Sequence, residues 1–95
     1  MHVEGNRLVV RGRVSREQAG LQELWSELLR QSPEEVVIDL TGAEGFRSAD
    51  LAVVAASCAL AEKRGRKVRV RASKEVARVL RFGGVDRIAR IEETD

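Results

Sequence analysis

Residues 7–14, RLVVRGRV, alternate between apolar and polar. Leu8, Val10 and Val14 point one way, and Arg7, Val9, Arg11 and Arg13 the other. A period of two predicts a strand with one much wetter face. His2 to Glu4 adds a short strand, turned by EGN. The period then changes: Leu21, Leu24, Trp25, Leu28 and Leu29 fall at i, i+3, i+4, i+7 and i+8, the stripe of an amphipathic helix that ends before Pro33. Ahead of it, SREQ (15–18) has the spacing of a capping box, with Ser15 accepting from the amide of Gln18. Trp25 belongs to the core stripe.

EEVVIDL (34–40) is almost continuously apolar and predicts a central strand covered on both faces. TGAEGFRS follows as a loop. Ser48 is the expected N-cap of a second helix running to about Arg64, closed by Gly65. KVRVRA (67–72) alternates again, Val68 and Val70 inward and Lys67, Arg69 and Arg71 outward. Ser73 caps a third helix with Val76, Val79 and Leu80 inward, stopped by Gly83-Gly84. VDRIARIEE predicts a last turn or short helix leading into a terminal strand. Strands separated by helices imply an α/β domain spanning residues 1–95. Its mostly parallel sheet has four or five strands, with three main helices and right-handed crossovers. Loops beyond the C-terminal ends of such strands carry function, and the loop at 41–48 is one of them.

The second helix departs from the amphipathic pattern. Ser57 is its only polar residue between Asp50 and Glu62. On a helical wheel Leu51, Val54, Ala55 and Cys58 cluster as a core face. Val53, Ala56 and Leu60 fall on roughly the opposite side, with Ala52 and Ala59 flanking. An apolar ridge of this kind, facing outward, suits docking of another protein or of a twin copy.

Composition narrows the function classes. Of 95 residues, 43% are hydrophobic and 34% charged, the balance of a folded, soluble protein. A net charge of +2 is too small to demand a nucleic acid or an anionic membrane as partner. One cysteine excludes an internal disulfide and makes a reducing cytoplasm the expected location. The N-terminus lacks the pattern of a signal peptide, and the uncharged run Leu51 to Ala61 is too short to span a bilayer. His2 near the chain start and Cys58 inside an apolar helix offer no metal site. No nucleophile–histidine pairing and no phosphate-cradling glycine motif occurs. The expectation is a protein without catalytic residues, metal or cofactor.

With strand, loop and helix in order, VVIDL (36–40), RSADL (47–51) and KVRVRASKEVARVLRFGGVDRI (67–88) together resemble a STAS domain over about residues 7 to 91. This is the fold of bacterial anti-sigma-factor antagonists, of sulfate-transporter tails and of small subunits of lipid-transporting ABC systems. The family carries a strand ending in an apolar-Asp-apolar run, a short loop, then D-S-x-G-L opening a helix. Arg47 stands at the motif's Asp and Asp50 at its Gly. The residue before that Gly is the phosphorylated serine of kinase-switched antagonists; here it is Ala49, which has no hydroxyl. Ser48 matches the motif's first Ser and is the one candidate phosphorylation site.

The resemblance implies a non-enzymatic protein-binding domain, antagonist-like, that docks on an anti-sigma factor of the kinase type. The alternative is an accessory STAS subunit docking on a transporter ATPase. Under both, the expected partner-binding residues are Arg47, Ser48, Ala49, Asp50, Val53, Ala56 and Leu60. A third reading, a nucleic-acid-binding face built from Arg7, Arg11, Arg13, Lys67, Arg69 and Arg71, lacks the aromatic residues that would stack bases. Asp39 is expected to bind loop amides near Arg47 and Asp50.

Overall fold

The structure is a computed structural model that describes residues 1–31 and 34–94. Five strands form one sheet whose spatial order, β1-β2-β3-β4-β5, is also the chain order. They are β1 (His2–Glu4), β2 (Arg7–Gly12), β3 (Glu35–Ala43), β4 (Lys67–Ser73) and β5 (Arg90–Thr94). The β1–β2 hairpin is antiparallel and turns at Gly5, whose φ of 59° suits a residue without Cβ. The pairs β2–β3, β3–β4 and β4–β5 are parallel. Three helices make the crossovers: α1 (Gln18–Gln31), α2 (Ser48–Lys63) and α3 (Lys74–Phe82). Right-handed crossovers between sequential neighbours stack all three on one face and leave the other open.

The core lies between that helical layer and the sheet. Leu8, Val10, Val36, Ile38, Leu40, Val68, Val70 and Ala72 supply the sheet side, meeting Leu21, Trp25, Leu28 and Leu29 of α1, Val54, Cys58 and Ala61 of α2, and Val76, Ala77 and Leu80 of α3. The residues between them on each strand point to the open face, where cross-strand rows run Val9–Asp39–Arg71–Glu92 and Arg7–Val37–Arg69–Arg90.

Two helix starts differ from expectation, and β3 runs on through Ala43 where a loop was expected from Thr41. Ser15 does not cap α1. Residues Val14–Glu17 form a 3-10 turn in front of the helix, and the amide of Ser15 donates instead to Asp50. Ser48 is not the cap of α2. Arg47 holds the N-cap position and Ser48 is the first helical residue. The reason is Asp50, whose carboxylate reaches back to the Arg47 amide at 2.7 Å and satisfies that helix end from inside. The end of α1 expected ahead of Pro33 falls outside the described residues beyond Gln31. Elsewhere the capping chemistry is as read: Ser73 accepts from the Val76 amide, and Gly65 (φ 76°) and Gly84 (φ 79°) follow α2 and α3 in left-handed conformation.

Candidate functional site

Helix α2 is dry because both its flanks are shared. Its buried residues are Asp50, Val53, Val54, Ser57, Cys58 and Ala61, a face rotated toward α1 from the one the sequence suggests. Val53 is only 8% exposed and belongs to the core cluster; Leu60 is half-buried against it. The outward ridge of Val53 and Leu60 therefore does not exist as expected. An alanine-rich helix has almost no preferred apolar side of its own, so the position of α1 decides which side is covered. The apolar residues of α2 left open are Ala49, Ala52, Ala56 and Ala59.

Three polar ties stitch α1 and the turn before it to α2 and the segment after it. The Ser15 amide donates to Asp50 Oδ1 at 2.7 Å. In the middle, the Trp25 indole N–H donates to the Ser57 carbonyl at 2.8 Å. At the far end the Arg66 guanidinium donates to the Leu29 carbonyl at 3.0 Å, satisfying an orphan acceptor of the last turn of α1. The Ser57 hydroxyl turns back onto the Val53 carbonyl at 2.9 Å, which accounts for a polar group inside this contact.

Between the two helices runs a groove of about 570 Å³. Gln18, Gln22, Trp25 and Ser26 form one wall; Ala49, Ala52, Val53, Ala56, Ser57 and Leu60 form the other. No lining residue is ionisable. Of the seven expected site residues, Ala49, Val53, Ala56 and Leu60 thus meet in the groove. Arg47 and Ser48 are exposed at the entrance to α2 and do not line it. Asp50 is 1% exposed and faces inward. Burial pushes its carboxyl up, but the amides of Arg47 and Ser15, the Ser15 hydroxyl and the nearby Arg13 outweigh that and hold it below the ordinary carboxylate range. The α1 wall was missed from sequence. Gln18, Gln22 and Ser26 carry no motif, and only their three- and four-residue spacing beside the apolar stripe hints at a shared edge.

Asp39 lies elsewhere, on the open sheet face. It accepts from the Thr41 amide at 3.0 Å and the Thr41 hydroxyl at 2.6 Å, with Arg7 at 3.8 Å and Arg71 at 4.0 Å. The expected loop amides near Arg47 and Asp50 are not its partners: the amide it binds belongs to Thr41, inside β3 itself. Burial raises its carboxyl, and the Thr41 bonds with Arg71 and Arg7 bring the net below its ordinary value. Arg69 sits between Glu35 at 3.1 Å and Glu92 at 3.6 Å. The arginines of this face thus have carboxylates among them, and Arg13 is not one of the group: its side chain packs on Gly45 near Asp50.

A family model described as "Mlab, STAS domain" matches residues 1–92. The chain belongs to the STAS domain family. No curated protein matches it. STAS domains generally mediate protein–protein interactions and are generally non-catalytic. No helix of this one, among the described residues, is long and apolar enough to cross a membrane.

Proposed function

We propose that this STAS domain is a non-enzymatic docking module that binds a protein partner through the entrance to α2 and the α1–α2 groove, without a phosphorylation switch. The observation that carries the reading is the groove itself. It is concave, uncharged and mostly apolar, and its two walls are tied at both ends and in the middle, so a partner would meet a surface already in its bound shape. Ala49, at the position of the switch serine in kinase-regulated relatives, is exposed on the first turn of α2 and has nothing to modify.

Of the partner classes, an anti-sigma factor of the kinase type follows from the antagonist-like motif order. Docking on a transporter ATPase is the second reading, favoured by the exposed Ser48 hydroxyl at the motif's first position beside a silent Ala49. Calorimetric titration against one purified protein of each class, taken from the neighbouring genes, separates them. Ala52→Arg places a charge in the groove and should weaken the true pairing by about a hundredfold, since a desolvated unpaired charge costs several kcal/mol. Binding indifferent to Ala52→Arg would reject the groove as the docking surface.

A further inference from the structure

Phe82, the last residue of α3, leaves its ring 93% exposed, while the next most open large apolar residue, Val3, stands at 39%. An aromatic side chain so fully in water is the kind of anchor that interfaces bury. It sits in a basic stretch. Residues 74–87 hold four cations (Lys74, Arg78, Arg81 and Arg87) against Glu75 and Asp86, and Glu93 of β5 pairs with Arg81, which leaves a small positive excess around the ring.

The molecule cannot cover Phe82 with its own groove. Gly83, the next residue, packs so tightly on Leu51 that an added Cβ would lie 2.7 Å from Leu51 Cδ2. Leu51 and Val53 are two residues apart and so point about 200° apart around α2. Val53 lines the groove. The end of α3 that carries Phe82 and the groove therefore stand on opposite flanks of one helix.

We infer that a second copy of this chain supplies the missing half: Phe82 of each copy fills the α1–α2 groove of the other in a closed two-fold dimer. The groove accepts a benzyl group without desolvating a charge, because nothing that lines it ionises. The charges around the two features are complementary. Residues 16–31, which include the outer wall of the groove, hold three carboxylates against two guanidiniums, opposite in sign to the stretch around Phe82. The topology makes the arrangement close. With α1, α2 and α3 in order across one sheet face, a two-fold axis along α2 sets α3 of each copy over α1 of its twin, so both contacts form at once and the assembly stops at two. Ala52 and Ala56 on the exposed side of α2 let the two copies approach closely along the axis. The dimer occupies the groove that the partner reading uses, so a partner would dock only on the dissociated monomer, and Phe82→Ser, which frees the groove, should strengthen partner binding while Ala52→Arg weakens it.

Sedimentation equilibrium of the purified chain tests this. The expected result is a reversible monomer–dimer equilibrium between 10.5 kDa and twice that mass. Phe82→Ser and Ala56→Arg, each at an exposed position, should both raise the dissociation constant by about tenfold or more. Mixing the two variants should give a heterodimer tighter than either variant's homodimer, since one intact ring-and-groove contact is regained. A monomer at every concentration, an open series of higher oligomers, a dimer indifferent to Phe82→Ser, or a mixture no tighter than its components would each overturn the proposal.

Discussion

The carboxylate of Asp50 accepts the backbone amide of Ser15, 35 residues earlier in the chain, at 2.7 Å, and with its second oxygen the amide of Arg47 at the same distance. One side chain thereby ends the turn before α1, starts α2 and closes one end of the groove between them. The carboxylate offers each amide an acceptor oxygen of its own, which is why an acidic residue can sit in the interior at this point.

Asp50→Ala removes both acceptors and leaves two amides without partners. The expected loss is about 2 kcal/mol or more, with Asp50→Asn losing less because one acceptor oxygen remains. Urea denaturation of the three proteins measures it; equal stability of Asp50→Ala and the parent would show that the tie contributes nothing.

Acid should unfold the protein through Asp50 and Asp39. Both carboxyls are held below the ordinary value of 3.8 in the folded chain. A depressed folded pKa means that the unfolded state binds more protons in acid. The stabilisation is therefore fully present above the unfolded value and drains away as pH falls through the folded ones. Stability should be flat above about pH 5 and fall steeply below about pH 4. In Asp39→Asn the fall should be shallower, since one of the two protonations no longer matters. Circular dichroism at graded pH reads both slopes, and parallel curves would sink the assignment of Asp39.

Cys58 should be inert while the protein is folded. Burial among apolar neighbours pushes its thiol up to about 12, leaving almost no thiolate near neutrality. A colorimetric thiol reagent at neutral pH should react at the rate of unfolding and no faster, and at once in denaturant. Immediate labelling of the native protein would mean that α2 is not packed as described.

Gly83 has an ordinary backbone, φ −80°, so its need for glycine is purely spatial. Gly83→Ala should cost about 1–3 kcal/mol by forcing Leu51 aside. In a Leu51→Ala background the same substitution should be neutral or stabilising, because the obstructing methyls are gone. A double-mutant cycle with no coupling between the two sites would refute the contact.

The strands and helices were legible because their periods are strong. Arg7–Gly12 and Lys67–Ser73 alternate with a period of two, and Leu21, Trp25, Leu28 and Leu29 repeat with that of a helix. Local chemistry was legible wherever a short polar side chain had a nearby amide to serve, as at Ser73. It misled at Ser15 and Ser48, where the same residue type in the same kind of position lost its role to Asp50, a longer side chain with two acceptors that reaches across the fold.

The amino-acid order by itself determined the elements, their parallel arrangement, the family and the absence of a modifiable group at Ala49. Only the tertiary structure decided which side of α2 is covered, and with it that Val53 is core, that Leu60 borders a groove and that Phe82 stands in water. The reason is that periodicity gives the phase of a helix only when its sides differ. Helix α2, apolar nearly all round, has no side that its own residues prefer, so the packing of α1 on one flank and Gly83 on the other had to choose it.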